Sequence, residues 1–299
     1  MGARHLRVLL TGSNRNQLDS TGHEPPPLLV PSGAVRMKKL DVARRLLKRT
    51  EPDGPATDQG QAAPNVYEAL YEAHAQSRPG PDGVGSVSFD LIGRMELAVL
   101  RMEGLRPTDT IVDVGCGVGR LALHLVPWLK GGHYIGTDVS PSMLQQADAI
   151  VRDAVPEPPC SIRWLKHEGL TMPLPDGSID MFGAFSVFTH IEHEDTYNLL
   201  KDSRRVARPG GKFVLSCLPL DLSVARETFV AQASVGFYER WGEVRNVVTT
   251  VDLLESVALM AGWWPLRWYK GDEPGITGDG LDGPQPFGQS ICVLGTDQP

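Results

Sequence analysis

The chain of 299 residues predicts a doubly wound α/β fold: a mostly parallel, seven-stranded sheet with helices on both faces and an antiparallel hairpin at its C-terminal edge. Three observations predict it. From residue 65 onward, helical patterns alternate with short apolar runs, the order that places parallel strands between two layers of helix. One of those runs ends in a glycine turn that opens a helix. The last two runs are joined by a Gly/Pro-rich loop instead of a helix, which suits an antiparallel pair.

Taken in order, residues 1 to 36 scatter Pro25, Pro26, Pro27 and Pro31 among Ser, Gly and Asn without a sustained period and read as mobile. Met37 to Thr50 sets Leu40, Ala43 and Leu47 at helical spacing, with Lys38, Lys39, Arg44, Arg45, Lys48 and Arg49 as a basic face; Met37 is a second candidate start. Glu51 to Pro64 is a linker, so 1–64 forms a basic extension and 65–299 the folded domain. Within that domain Val66 to Gln76 and Phe89 to Glu103 read as helices, and Thr110 to Val114 as a buried strand. The unit then repeats: helix Val118 to Leu129, strand His133 to Thr137, helix Ser142 to Arg152, strand Ser161 to Lys166. Strand Ile179 to Phe185, helix Thr196 to Ala207 and strand Lys212 to Leu218 continue the alternation. Pro209 stops that helix and Gly210 and Gly211 reverse the chain. After an insertion from Pro219 to Thr249 come helix Val251 to Ala261 and the strands Pro265 to Tyr269 and Ser290 to Leu294, joined by Gly271 to Gly288.

Composition narrows the function classes. With 41% hydrophobic and 22% charged residues the chain reads as an ordinary soluble protein. No apolar run approaches the roughly 18 residues of a spanning helix, and Val8 to Leu10 is too short for a signal core of about 7–15. The expected location is the cytoplasm, with no integral membrane segment. Cys116, Cys160, Cys217 and Cys292 lack metal-ligand or paired spacing, so neither zinc nor a disulfide framework is expected. A net charge of −7 argues against nucleic acid as partner. Residues 1–50 nevertheless hold ten Lys and Arg against three Asp and Glu, leaving 19 against 33 elsewhere. That basic arm is either a weak contact for an anionic surface or a solvated extension. The oligomeric state is open.

The most informative segment runs from Ile111 through Asp113, Val114, Gly115, Cys116, Gly117, Val118, Gly119 and Arg120. Glycines are required where the backbone turns sharply or a ligand approaches the main chain, and a helix N-terminus beyond offers free N–H groups. Asp138 follows 19 residues after Gly119 at the end of the next strand, where a carboxylate can accept from both ribose hydroxyls. A dinucleotide fingerprint wants its third glycine one position later, and Asp113 would oppose a pyrophosphate; an acid there suits a ligand with a cationic amino group.

This pattern, with three later segments, resembles the class I S-adenosylmethionine-dependent methyltransferases from about Tyr67 to the C-terminus, which implies their Rossmann-like fold and S-adenosyl-L-methionine as cofactor. The resemblance implies that Asp113, Gly115, Cys116, Gly117 and Gly119 line the methionine part and that Asp138, with Val139 beside it, holds the ribose. Glu168 stands where the family more often shows Asp, so the adenine amino group is held either by Glu168 or by the backbone of Gly169 and Leu170. Asp180 to Ile191, with Phe185 and Ser186, matches the fourth strand and the edge facing the transferred methyl.

The sulfonium makes its methyl electrophilic, so the protein has to align the acceptor, and an alcohol acceptor needs its proton removed. His190 is the first candidate base and His193 the second; packing at a strand end is the plainer role for His190. His190, Glu192, His193, Glu194 and Asp195 are also metal-binding types, but no metal is expected: Glu194 and Asp195 suit a helix start. Tyr67, Tyr71, Arg94, Phe237 and Tyr238 are the candidate acceptor contacts, although aromatics of the insertion, Phe229 and Trp241 among them, more often form its own small core; Trp263, Trp264 and Trp268 read as core. The [Asp/Asn]-Pro-Pro-aromatic run of amino-methylating nucleic-acid enzymes is absent, since that place reads Ala184-Phe185-Ser186-Val187. The expected activity is methyl transfer to a small molecule, on an oxygen of a sugar, glycoside or secondary metabolite. A cofactor-binding scaffold or inactive partner subunit and a protein-directed methyltransferase are the alternatives.

Overall fold

The apolar runs after residue 109 become strands β1 (Thr110–Val114), β2 (His133–Asp138), β3 (Ser161–Lys166), β4 (Ile179–Ala184), β5 (Ala207–Cys217), β6 (Trp264–Tyr269) and β7 (Ser290–Gly295). They hydrogen-bond into one sheet in the order β3-β2-β1-β4-β5-β7-β6. The first five strands are parallel, and β7 runs antiparallel to both β5 and β6. The seven-stranded sheet and its terminal hairpin are therefore as expected. The hairpin places β6 at the rim and β7 inside, which is why every residue of Ser290–Gly295 is buried.

The computed structural model describes residues 66–80, 88–167, 170–236, 239–240 and 244–298, all in one compact unit, Leu47–Pro299. The basic arm and linker at 1–64, with the surface contact expected of them, lie outside the described residues, as do Glu168, Gly169, Phe237, Tyr238 and Trp241.

Helices α1 (Val66–Ser77), α2 (Phe89–Met102), α3 (Ala122–Trp128), α4 (Pro141–Ala154), α5 (His193–Val206), α6 (Ser223–Ala233) and α7 (Val251–Met260) accompany the sheet. Strand alternation sends neighbouring side chains to opposite faces. Ile111 joins Leu100 and Leu125 on the face covered by α2 and α3, while Val112 and Val114 join Leu199, Leu200 and Ala258 on the face covered by α5 and α7. The second core centres on Trp263, fully buried and edge-on to Phe182 and Phe213 at 6.1 and 5.7 Å, with its indole N–H donating to the Leu200 carbonyl at 2.8 Å. Trp268 packs partly buried against this core, whereas Trp264 is half exposed.

Four local expectations need correction. The helix expected from Val118 starts at Ala122, because Gly117 and Gly119 sit at φ +53° and +89° and hold the chain out of the helical region. The helix expected over Thr196 to Ala207 runs from His193 to Val206; a residue two before Pro209 is where helical geometry gives way. Strand β5 begins at Ala207 with an irregularity, Ile179 pairing with Ala207 and Met181 with Lys212, so Arg208 to Gly211 is an insertion within the ladder. Helix α6 has no counterpart among the expected elements: only Ala225 among its residues is buried, so it has no apolar stripe, and Phe229 on it is 52% exposed instead of forming an insertion core. The small apolar cluster there is built from Leu218, Leu222 and Ala225.

Candidate active site

After β1 the chain turns to β2 on one side, and after β3 it returns to β4 on the other, so a crevice opens beyond the C-terminal ends of β1 and β4, the usual ligand position in such sheets. The glycine turn forms its floor. Gly115, Gly117 and Gly119 all have positive φ. A Cβ on Gly115 would stand 2.5 Å from Val187 Cγ2, so the turn also admits the loop after β4. At Gly119 the close neighbours are Ala147 and Val151, showing that this glycine lets α4 pack on the turn. Cys116 is buried, its N–H bonded to the Thr137 carbonyl at 2.9 Å.

Asp138 ends β2 and accepts from the backbone N–H groups of Gly117 at 3.0 Å and Ser140 at 2.9 Å, tying the turn to the start of α4. Burial pushes its carboxyl up to about 6 against those bonds. Val139 beside it is half-buried. Asp113 lies deeper, 3% exposed, and accepts from the Tyr134 hydroxyl at 2.7 Å. Burial, and then the neighbouring Glu96, hold Asp113 up at about 8 although Tyr134 and Arg120 pull it down. Glu96, also buried, pairs with Arg120 at 2.6 Å. Two buried carboxyls, Glu96 and Asp113, thus share the field of one guanidinium.

Helix α1 spans this half of the crevice. Glu72 accepts from Ser140 Oγ at 2.6 Å, from Ser142 N at 3.2 Å and from Ser142 Oγ, and Lys166 reaches Glu68 at 2.5 Å. The serine hydroxyls lower the Glu72 carboxyl to about 2. Tyr71 is held edge-on to His190 with ring centres 6.2 Å apart, and its hydroxyl is pushed up by burial and then by the charge of Asp138. Tyr67 donates to Asp195 at 2.5 Å and accepts from the Glu192 N–H at 3.1 Å, which fastens α1 to the start of α5.

The other half follows β4. Ser186 has φ +64°, a conformation that costs a non-glycine residue about 1–3 kcal/mol and recurs at functional sites. It is held by its N–H donating to Ser216 Oγ at 2.7 Å and by Gln289, whose amide N–H donates to Ser186 Oγ at 3.0 Å. Phe185 is spent on the core, tilted against Phe287 at 5.7 Å. His190 Nδ1 lies 2.8 Å from the Arg245 carbonyl, so that nitrogen carries the proton and Nε2 the lone pair. Burial holds the imidazole below its ordinary value, hence neutral and able to accept a proton.

The structure thus gathers Asp113, Asp138, the glycine turn, Tyr71 and His190, with Tyr67 alongside. It leaves two candidates apart. His193 lines a different small cavity with Phe188, Thr196, Cys217 and Thr249. Arg94 bonds Asp90 at 2.7 Å and the Gly280 carbonyl, tying α2 to the hairpin loop. Among the described residues no group of three or more His, Cys, Asp or Glu is placed to hold a metal ion, and Glu192 and Asp195 are engaged by Arg245 and Tyr67. No helix among them is long and apolar enough to cross a membrane. Glu72, Glu96, Ser216, Arg245 and Gln289 carry no local signal in the sequence; Arg120 alone stands out, directly after Gly119.

Comparison with known proteins fits this geometry. Residues 111–211 match a family model described as a methyltransferase domain. The chain carries a methyltransferase domain over these residues. An O-methyltransferase of Aspergillus sclerotiorum is 31% identical to it over 134 residues, 42% of this chain and 49% of that protein. The demethylmenaquinone methyltransferase of Thermus thermophilus is 31% identical over 135 residues, 45% and 57% of the two chains. The chain spans about half the length of these curated relatives. In fold the methyltransferase domain is similar to the magnesium protoporphyrin IX methyltransferase of Synechocystis PCC 6803, solved with bound S-adenosylhomocysteine, at 16% identity and a TM-score of 0.51 over 89% of this chain and 100% of that one.

Proposed function

We propose that this protein transfers the methyl group of S-adenosylmethionine to an oxygen of a hydroxylated small molecule, a sugar, glycoside or secondary metabolite, with His190 as the base. The observation that carries the reading is the neutral His190, its Nδ1 committed to the Arg245 carbonyl, in the same crevice as the glycine turn and Asp138 and joined to them by Tyr71.

The donor set suits the cofactor. A carboxylate offers about four lone-pair sites, and Asp138 uses two on the Gly117 and Ser140 N–H groups, which leaves capacity for ribose hydroxyls. The buried carboxyls of Asp113 and Glu96 beside Arg120, with Asp138 a further negative charge acting on Asp113, favour a cationic amino group above the turn. The bound cofactor supplies an electrophilic methyl. What the chain adds is placement and a proton acceptor: α1 covers the crevice and excludes water, the loop at Ser186 sets the edge past β4, and His190 Nε2 takes the hydroxyl proton. Glu168 or the backbone of Gly169 and Leu170 would meet the adenine, and Tyr67, Tyr71, Phe237 and Tyr238 the acceptor.

Calorimetric titration of the purified chain with S-adenosylhomocysteine, with NADH as comparison, tests the cofactor half. Incubation of labelled S-adenosylmethionine with a panel of sugars, glycosides and phenols tests the acceptor half. Saturable binding of S-adenosylhomocysteine alone and label on an acceptor oxygen are the expected results. Binding of NADH alone, or label only on nitrogen, carbon or protein, overturns the reading.

A further inference from the structure

The end of the insertion returns to the sheet beside His190, and it is laced there at several points. Val247 N–H donates to the Thr189 carbonyl at 2.7 Å, and Thr249 N–H to the Leu218 carbonyl at 2.9 Å, while Leu220 N–H donates back to Thr249 at 2.9 Å. At the head of this arm the Arg245 guanidinium grips Glu192 Oε1 through Nε at 3.0 Å and Nη2 at 2.5 Å. Both side chains are about one-quarter exposed, so the pair is partly sheltered from solvent. The carbonyl of that same Arg245 accepts from His190 Nδ1. Glu192 also immediately precedes α5, and its N–H is bonded to Tyr67 of α1. One ion pair therefore sits where the cover helix, the loop after β4 and the insertion arm meet.

We propose that Glu192 and Arg245 are the positioning residues of His190: their ion pair anchors the insertion arm so that the Arg245 carbonyl holds the imidazole as the Nδ1–H tautomer and leaves Nε2 as the proton acceptor. The consequence is that the arm of the insertion, which lies in the acceptor half of the crevice, governs whether the base is in its working form. The proposal rests on the reading of His190 as base for its functional meaning, and on geometry alone for its structural content. A neutral histidine has two tautomers, and the one present is set by the bond its other nitrogen makes. Nothing on the loop 189–191 itself supplies that bond; the acceptor comes from 55 residues away.

The test needs no acceptor. In the full chain labelled with nitrogen-15 histidine, the His190 signals, assigned by their loss in His190→Gln, report tautomer and titration directly. The ionisable groups around the ring are Tyr71 and His74 of α1, Glu192 and Arg245. Wild-type protein is expected to show the Nδ1–H tautomer and a titration below the ordinary histidine value. Arg245→Met, which keeps the apolar stem, and the milder Glu192→Gln are expected to mix the tautomers and, because the bond to the Arg245 carbonyl raises the imidazole against its burial, to move the titration further below the ordinary histidine value, with S-adenosylhomocysteine affinity retained. The exchanged pair, Glu192→Arg with Arg245→Glu, is expected to restore the wild-type signals. An unchanged tautomer in both single variants overturns the proposal, as does failure of the exchanged pair to restore it. The base reading fails separately. If His190→Ala turns over normally while Arg245→Met shifts the imidazole, positioning stands and the base role falls; an inactive His190→Ala with an unmoved imidazole in Arg245→Met gives the reverse.

Discussion

If Asp113 lies beneath the amino group of the cofactor as proposed, cofactor binding is expected to release a proton. In the free protein its carboxyl is 3% exposed and held up at about 8, chiefly by burial and then by Glu96, with Tyr134 and Arg120 pulling the other way. At pH 7 a group of that pKa is about 0.9 protonated. A cationic amino group seated above the glycine turn adds a favourable charge at close range, which brings the carboxyl toward its ordinary range near 4 and expels that proton. The α-amino group of the cofactor, itself about nine-tenths charged at pH 7, takes up roughly 0.1 proton in return. The net release is then about 0.8 proton per site, so affinity rises almost tenfold per pH unit below pH 7 and the gain flattens through pH 8. Calorimetric titration with S-adenosylmethionine at pH 7 in buffers of different ionisation enthalpy reads this number as a slope. Asp113→Asn is expected to abolish the release and leave only the small uptake. A binding enthalpy independent of buffer in the wild-type protein would refute this coupling, and a release of the same size in Asp113→Asn would move its origin to another group.

Replacing His190 by Ala is expected to lower kcat about 10²–10⁴-fold, the usual range for a lost general base, with S-adenosylhomocysteine affinity unchanged by calorimetry. Asp138→Ala removes a charged acceptor worth about 1.5–3 kcal/mol, so cofactor Kd is expected to rise roughly 10- to 100-fold; unchanged affinity would take the ribose role from Asp138. Thermal unfolding checks that the Gly117 and Ser140 N–H groups, which this carboxylate also satisfies, survive its loss. Arg120→Met leaves Glu96 buried without its guanidinium and is expected to cost about 3–5 kcal/mol in urea unfolding. Adding Glu96→Gln should recover most of that loss, and a double variant no more stable than Arg120→Met would mean that the arginine acts by packing and not through charge.

The features legible in the sequence are those that neighbours along the chain determine. The glycine turn needs only its own backbone angles, and Asp138 needs only to end the next strand, so both stand out in the linear order of residues. Trp263 is legible as core for the same reason, lying between an apolar helix and an apolar strand. Helix α6 is not, because it buries almost nothing, and a helix without an apolar stripe has no period to detect.

The half of the crevice beyond β4 is illegible for a different reason: its parts meet only after the sheet has closed. Gln289 reaches Ser216 because β7 inserts beside β5 in antiparallel register, Ser290 opposite Cys217, and no local pattern states that pairing. Arg245 reaches His190 because the arm of the insertion is laced to the strand ends at Thr189 and Leu218. The glycine turn and Asp138 therefore lie close together along the chain, whereas the groups that meet around Ser186 and His190 come from long sequence separation. A positive φ at Ser186 belongs to the second group: a strained serine persists only because Ser216 and Gln289, far along the chain, hold it. It follows that variants of Gln289 and Arg245 should alter which acceptor is taken and how fast, while variants of the glycine turn should alter whether the cofactor binds at all.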